Sequence, residues 1–240
     1  MKLLIDRKTV LAFSALCLLS PILTACGGGS TMQGVDTSMP PVKNAEILYG
    51  EKHDKLSVIK ALHEKTPDNA MIAARYGKAL REAGQLKSAK SVLLPLANNK
   101  DVATLANTEL SAVYLSQAEF GKAEAAARKA IKADNRNYRA WRNLGNALDA
   151  QEEYKEGEEA FRKALDLWKD DDKVPVMNNL ALNLAAQGYT DQALTMLYDA
   201  QKIDPNRVEI ERNIRIIRTL NEPPEYKGLK IPTPRNKVPE

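Results

Sequence analysis

Small and hydrophobic residues recur along most of the chain with a period of 34 residues. Two columns of small residues show this most clearly: Gly77, Ser111, Gly145 and Ala181 in the first, and Ala89, Ala123, Gly157 and Ala193 in the second. The last member of each column follows an insertion of two residues. A small residue lets two helices cross closely, while Leu, Tyr or Phe side chains fill the space beside the crossing. The pattern therefore predicts an all-α solenoid built from helical hairpins.

The repeats resemble the tetratricopeptide repeat (TPR). The clearest copy is NYRAWRNLGNALDAQEEYKEGEEAFRKALDL, in which eight residues fall on family positions: Trp141, Leu144, Gly145, Leu148, Tyr154, Gly157, Phe161 and Ala164. The resemblance implies a TPR-type α-solenoid of antiparallel helical hairpins in a right-handed superhelix. Its four units are predicted at 70–103, 104–137, 138–171 and 174–207.

Capping segments are predicted on both sides of these units. Residues 44–66 form an incomplete unit, which we interpret as an N-terminal cap. Residues 208–220 place isoleucines at helical spacing and predict a C-terminal capping helix. Pro95 lies inside the second helix of the first unit and should kink or end that helix. Residues 221–240 are rich in proline and predict an extended, mobile tail or a strip that lies on the solenoid or a partner.

The N-terminus has the layout of a secretory signal peptide over residues 1–25, with a basic start and an interrupted apolar stretch. Leu-Thr-Ala-Cys at its end resembles the lipobox of bacterial lipoproteins. That resemblance implies that Cys26 becomes the acylated mature N-terminus, joined to the solenoid by a flexible linker over 26–43. Gly27 follows the cysteine instead of the aspartate that signals inner-membrane retention, so the resemblance implies the periplasmic side of the outer membrane. The alternative is an ordinary signal peptide with an incidental cysteine.

Composition argues against several kinds of chemistry. The net charge is +4, of which Lys2, Arg7 and Lys8 against Asp6 supply +2 within the leader, so +2 remains for the rest. This charge and the scarcity of aromatic residues argue against nucleic-acid binding. The two histidines are both expected to be solvent-exposed and do not form a plausible set of metal ligands. The sequence contains no phosphate-binding loop and no nucleophile elbow. We therefore predict no enzyme activity, cofactor, metal or small-molecule substrate.

By the same resemblance, the first helix of each unit lines a concave groove that binds protein partners. The predicted partner-binding residues are Lys78, Arg81, Thr108, Arg139, Arg142, Asn146, Asp149 and Asn178. Further exposed positions are predicted at Ala74, Leu105, Ala112, Leu115, Leu182 and Ala185. The lining runs from charged through apolar to charged, which suits an extended peptide or a helix with an apolar centre and acidic ends.

Arg142, Asn146 and Asn179 resemble part of the carboxylate clamp of chaperone-binding repeats. The match is incomplete, because the cations expected on a following unit are not both present near Glu209 and Asn213. The alternative is that the asparagines of this column, Asn143 and Asn179, have a structural role.

The lipobox combined with four such units, and the segment MNNLALNLAAQGYTDQALTMLYDAQ, resemble the TadD lipoprotein family of the tight-adherence (Tad/Flp) pilus system. This resemblance implies a lipid-anchored adaptor that assembles or localises the pilus secretion apparatus, with the secretin as a candidate partner. Three alternatives remain open. They are a pilotin of type IV pili, the repeat lipoprotein of the outer-membrane barrel assembly complex, and an adaptor or regulator of a cell-wall enzyme.

Overall fold

The structure, a computed structural model, describes residues 55–169 and 172–221. The predicted signal peptide, Cys26, the linker, the first part of the N-terminal cap and residues 222–240 of the tail lie outside these residues. Within them the chain is all-helical, as the sequence predicts. The helices of this part are α1 (Lys55–Lys65), α2 (Ala70–Glu82), α3 (Leu86–Leu93), α4 (Ala103–Ser116), α5 (Phe120–Ala133), α6 (Tyr138–Asp149), α7 (Tyr154–Asp166), α8 (Val174–Ala186), α9 (Thr190–Ile203) and α10 (Val208–Asn221).

Four consecutive hairpins make up the solenoid: α2 with α3, α4 with α5, α6 with α7, and α8 with α9. The second helix of each hairpin also packs against the first helix of the next one, and the first helices α2, α4, α6 and α8 contact one another in order. Each hairpin thus buries its apolar face against its neighbours, which is how a solenoid forms one continuous core.

The helices of a hairpin cross at the small residues of the first column. A Cβ atom added to Gly77 would lie 2.5 Å from Cγ of Leu93, and one added to Gly145 would lie 2.6 Å from Cδ1 of Phe161. Both larger side chains are fully buried. The predicted close crossing, with Leu or Phe filling the space against a glycine, is therefore confirmed.

The turn inside each hairpin contains one residue with left-handed backbone. These residues are Gly84, Ala118, Glu152 and Gly188, with φ of 74°, 56°, 65° and 90°. In the first turn the backbone N–H of Gln85 donates to the carbonyl of Leu80 at 2.8 Å. The backbone N–H of Gly84 donates to the carbonyl of Arg81 at 2.9 Å. This is the hydrogen-bond pattern of a Schellman motif, which ends the first helix and reverses the chain.

Pro95 has the effect that the sequence predicts. Helix α3 ends at Leu93, and Leu94–Leu96 form a 3₁₀ turn that contains the proline. A proline has no backbone N–H to continue the helix. The second helix of the first hairpin is therefore only 8 residues long, whereas α5 and α9 have 14.

The two end helices cap the solenoid differently. Helix α10 buries Ile210, Ile214 and Ile217, in agreement with the predicted apolar stripe. Helix α1 has no buried residue, and Val58 and Leu62 on it are exposed. His63 on the same helix is half-buried with its ring 5.1 Å from that of Tyr76, so the expectation that it is solvent-exposed is wrong.

Candidate partner-binding groove

The first helices of the hairpins, together with α10, form a surface that we call the first-helix groove. It carries most of the side chains predicted to bind a partner. Arg139 is exposed there, and the half-buried members are Lys78, Arg81, Arg142, Asn146, Asp149 and Asn178. The structure therefore places seven of the eight predicted residues where solvent reaches them.

Thr108 is the exception, and its predicted place in the groove is a correction. Its side chain is only 6 % exposed. The hydroxyl donates to the carbonyl of Thr104 at 2.7 Å and accepts from Nδ2 of Asn137 at 2.8 Å. Asn137 also accepts the N–H of Ala140 as the N-cap of α6, so Thr108 joins two repeats. Ala74 and Leu115, also predicted to be exposed, are buried too.

Amide hydrogen bonds connect α6, α8 and α10 to the first helix of the preceding hairpin. Asn143 donates through Nδ2 to Oγ of Ser111 at 2.8 Å and to the carbonyl of Thr108 at 3.2 Å. The same position in the following units is occupied by asparagines that bind an amide oxygen one repeat earlier: Asn179 donates to Asn146 at 2.8 Å, and Asn213 donates to Asn178 at 2.7 Å. These bonds give the asparagine column a structural role.

The amides of the predicted clamp are partly engaged within the solenoid. Nδ2 of Asn179 donates to Oδ1 of Asn146, and Nδ2 of Asn213 donates to Oδ1 of Asn178, so the Nδ2 groups of Asn146 and Asn178 take no part in these bonds. A pocket of about 500 Å³ lies between α8 and α10, and the charged residues of its lining are Arg207, Glu209 and Arg212. Glu209 and Asn213 lie where the clamp of the resembling repeats expects cations, and the two arginines lie beside them in the same lining.

An ion pair takes the place of the amide bond between α2 and α4. Nε of Arg81 donates to Oε2 of Glu109 at 2.5 Å, and the Glu109 side chain is 6 % exposed. Sequence reasoning assigned Arg81 to the groove but missed Glu109. The sign that could have revealed it is position: Glu109 stands 34 residues before Asn143, in the column that connects neighbouring first helices.

Asp149 lies at the junction of α6, α7 and α8. It accepts a hydrogen bond from Nδ2 of Asn183 at 2.6 Å, and the same nitrogen donates to the carbonyl of Tyr154 at 2.8 Å. Gly157 leaves room for the carboxylate, because a Cβ there would lie 2.5 Å from Oδ1. Burial raises the pKa of the Asp149 carboxyl to about 7, although the bond from Asn183 lowers it.

Arg142 is held in an aromatic corner of the groove. Its Cζ atom lies 5.9 Å from the centre of the Trp168 ring, which packs 4.5 Å from the ring of Tyr138. Nε of Arg142 is buried and has no hydrogen-bond partner among the described residues, and neither has Nε1 of Trp168. Burial, followed by the charges of Arg139 and Arg81, lowers the pKa of Arg142, while Tyr138 and Glu109 raise it.

Sequence reasoning missed the part that Trp168 plays at this site. Trp168 follows α7, and its ring meets Arg142 on α6 only because the hairpin brings the two helices together. No spacing within one helix connects these two residues.

Two further findings concern the described residues. Among residues 55–169 and 172–221, no group of three or more His, Cys, Asp or Glu side chains is arranged to hold a metal ion. None of the helices in this part of the chain has the length and apolar character needed to cross a membrane.

Comparison with known proteins identifies the fold. Residues 137–206 match the sequence profile of the tetratricopeptide repeat. Among curated proteins, none matches the chain. Many solved structures do match it.

Three of these structures are representative. YrrB, a TPR protein with an unusual peptide-binding site, is 19 % identical with a TM-score of 0.56, over 71 % of this chain and 87 % of its own. TTC0263, a thermophilic TPR protein of Thermus thermophilus, is 15 % identical with a TM-score of 0.59, over 68 % of this chain and 89 % of its own. The pilF protein of Pseudomonas aeruginosa is 21 % identical with a TM-score of 0.57, over 63 % of this chain and 68 % of its own. The described residues thus form a tetratricopeptide-repeat solenoid, and residues 137–206 carry the sequence pattern of that repeat.

Proposed function

We propose that this chain is a protein-interaction adaptor, which holds a segment of a partner protein in the first-helix groove and performs no bond-making chemistry. The observation that carries this proposal is the groove itself, in which polar and charged side chains of α2, α6 and α8 reach solvent and bonds between repeats hold the first helices in place. Solenoids present such extended surfaces to their partners. The peptide-binding site of YrrB, a TPR protein of similar fold, is consistent with this use.

The adaptor is anchored through Cys26 to the outer membrane, facing the periplasm. The support for this part is the lipobox-like Leu-Thr-Ala-Cys and the glycine that follows it. Two or three acyl chains anchor a protein durably, whereas one anchors it only marginally.

Metabolic labelling with a palmitate analogue tests the anchor. Cys26→Ser should abolish labelling, while Cys17→Ser, a matched change within the same leader, should leave it intact. Gly27→Asp should then move the labelled protein to the inner-membrane fraction. Equal labelling of the wild type and Cys26→Ser would contradict the anchor.

The adaptor serves the Tad/Flp pilus secretion apparatus, which it helps to assemble or localise. The support is the resemblance of residues 177–201, together with the lipobox, to the lipoproteins of that system. These residues form most of α8, the turn after it and most of α9, at the C-terminal end of the groove.

Affinity purification from the detergent-solubilised envelope of the native host tests this assignment. Recovery of the secretin or another Tad component supports it. Recovery of type IV pilus, barrel-assembly or cell-wall enzyme components instead would support one of the alternatives. Turnover of peptidoglycan by purified residues 27–240 would contradict the adaptor itself.

A further inference from the structure

We infer that residues 45–49, which lie outside the described residues, dock on an exposed apolar face of α1. This α1 face consists of Val58, Ile59 and Leu62. The docked segment covers α1 from the side on which a first helix covers the second helix in the other hairpins. The inference goes beyond the proposed adaptor function and does not depend on it.

Helix α1 has the position of a second helix. It packs against α2, just as α3 packs against α4 and α5 packs against α6. Its last residue, Lys65, stands two periods of 34 residues before Ala133, the last residue of α5. After each of these two helices, a four-residue connection ends in the asparagine that caps the next helix, Asn69 or Asn137. The packing columns of the second helices therefore continue into α1.

Ile59 and Leu62 stand in columns that the other second helices bury. Ile59 continues a column whose four members are each 0 % exposed: Leu93, Ala127, Phe161 and Leu197. Leu62 continues a column with three alanines that are also 0 % exposed: Ala130, Ala164 and Ala200. On α1, by contrast, Ile59 is half-buried and Leu62 is 41 % exposed. Among the described residues, the surface that packs on a first helix in the other hairpins is thus open on α1.

The C-terminal end of the solenoid is built differently. Helix α10 has the position of a first helix, and it places Arg215 and Arg218 where α8 has the buried Ala181 and Leu184. Both arginines are exposed. A terminal helix that borders water needs a polar outer face. Helix α10 has such a face, whereas the α1 face is apolar, which is typical of a helix that another segment covers.

The residues before α1 supply a suitable segment. Ile47, Leu48 and Tyr49 form the one run of consecutive large apolar residues between the leader and α1. Gly50 follows this run and stands 34 residues before Gly84, in the column of left-handed turn residues. A glycine adopts that backbone without strain. The chain therefore has an apolar run and a point of reversal in the order that a hairpin requires.

The connection is long enough for the segment to fold back onto α1. Residues 50–54 span up to about 17 Å when extended. Leu62 lies about 10 Å along the helix axis from Lys55, the first residue of α1. The apolar run can therefore reach every residue of the α1 face.

The segment is not an exact copy of a first helix. At a spacing of 34 residues, Lys43 and Glu46 stand in the columns of Gly77 and Leu80. These charged side chains do not suit a buried column, so the contact is confined to the apolar run. This agrees with the interpretation of residues 44–66 as an incomplete unit.

The pattern of charge favours this occupant over two others. Residues 45–51 carry two glutamates and no cation, whereas α1 carries three lysines and one glutamate. A second copy that docked through its own α1 would bring lysines against lysines. The tail over 221–240 carries four cations and three acidic residues. Because opposite charges favour a contact and like charges oppose it, the acidic segment next to α1 is the best match.

Thiol labelling of the full chain in detergent tests the docking. Cys17→Ser and Cys26→Ser remove the native thiols, and Leu62→Cys introduces one on the α1 face. A maleimide should label this thiol at least about tenfold faster when Leu48→Asp is added, because the docked run no longer covers it. Val35→Asp, the same kind of change earlier in the chain, is the matched control and should leave the rate unchanged. Circular dichroism and thermal unfolding verify that each variant is folded.

Disulfide formation tests the contact directly. In the same background, Leu62→Cys is combined in turn with Ile47→Cys, Leu48→Cys and Tyr49→Cys and treated with oxidised glutathione. At least one pair should form a disulfide within a single chain. Val35→Cys combined with Leu62→Cys is the control and should form it much more slowly.

Equal labelling rates with and without Leu48→Asp would overturn the inference, whether the thiol reacts fast in both chains or slowly in both because another segment covers it. A slow rate that rises on dilution, or disulfides that join two chains, would assign the α1 face to a second copy and overturn it as well. Faster labelling with Leu48→Asp but no disulfide in any of the three pairs would mean that this change only loosens α1, which also contradicts docking.

Discussion

Gly145 of α6 lies directly against the ring of Phe161 of α7, and a Cβ at this glycine would be 2.6 Å from two ring atoms. Phe161 is fully buried in the largest core cluster, so its ring cannot move into solvent. We expect Gly145→Ala to lower the free energy of unfolding by about 1–3 kcal/mol, the usual cost of overpacking. Urea denaturation measures this change.

Gly121→Ala is the control for that prediction. Gly121 is also helical, but a Cβ there would meet only Oε1 of Gln151 at 3.8 Å. Alanine has the higher helix propensity, so this variant should be as stable as the wild type or up to about 1 kcal/mol more stable. Equal losses in both variants would show that the crossing of α6 and α7 is not the cause.

The left-handed turns predict a stabilising change. Ala118 has φ of 56°, which is unfavourable for a residue with a Cβ, whereas the same position of two other hairpins is glycine. We expect Ala118→Gly to raise the free energy of unfolding by about 0.5–1 kcal/mol. Chemical denaturation checks the value.

Gly84→Ala makes the reverse change and should lower stability. A Cβ at Gly84 meets nothing within 4 Å, so any loss comes from its φ of 74° and not from a clash. If Ala118→Gly destabilises the chain while Gly84→Ala is neutral, the left-handed backbone of these turns does not lower the free energy of unfolding.

Asp149 should make the stability of the solenoid depend on pH. Its pKa in the folded chain is about 7, above the ordinary value of 3.8, because of burial. Between about pH 4 and pH 7 the folded state keeps a proton that the unfolded state releases, so this contribution to stability falls as the pH rises. Asp149→Asn keeps an oxygen that can accept from Asn183 but removes the buried charge. It should therefore raise the free energy of unfolding at about pH 8 by roughly 2–4 kcal/mol.

Urea denaturation of both proteins at several pH values provides the measurement. The stability gain of Asp149→Asn over the wild type should be small near pH 4 and should grow towards pH 8. A gain that does not change with pH would contradict a raised pKa at Asp149.

The Arg142 side chain should lower the free energy of unfolding of the isolated chain. Methionine is similar in length and apolar, so Arg142→Met removes the guanidinium with its buried, unbonded Nε–H while it preserves much of the packing against Trp168. We expect the free energy of unfolding to rise by about 1 kcal/mol, because a lost cation–π contact offsets part of the gain. Arg162→Met, which breaks an exposed pair with Glu158, should lose only a few tenths of a kcal/mol. A large loss of stability in Arg142→Met would mean that the guanidinium is satisfied inside the fold.

The sequence was sufficient to predict the helical hairpins. The 34-residue period of small residues identified the crossings at Gly77 and Gly145, and Pro95 marked the end of α3. These features depend on the local spacing within one repeat and on contacts with the adjacent repeat, which a periodic pattern records directly. The structural interpretation of Asn143 was available for the same reason, because its column repeats along the chain.

The exposure of the groove residues was decided by tertiary structure. Thr108 follows the spacing of a groove residue, but Asn137, from the turn before α6, covers its hydroxyl. Arg142 and Trp168 meet because the end of one hairpin returns over its own first helix. Spacing along one helix tells which side a residue faces, but not which loop or side chain of another element reaches it. The helical pairs and their crossings were therefore determined by the sequence pattern, whereas the buried donor at Arg142 and the buried carboxyl at Asp149 arise from contacts between elements that only the folded chain brings together.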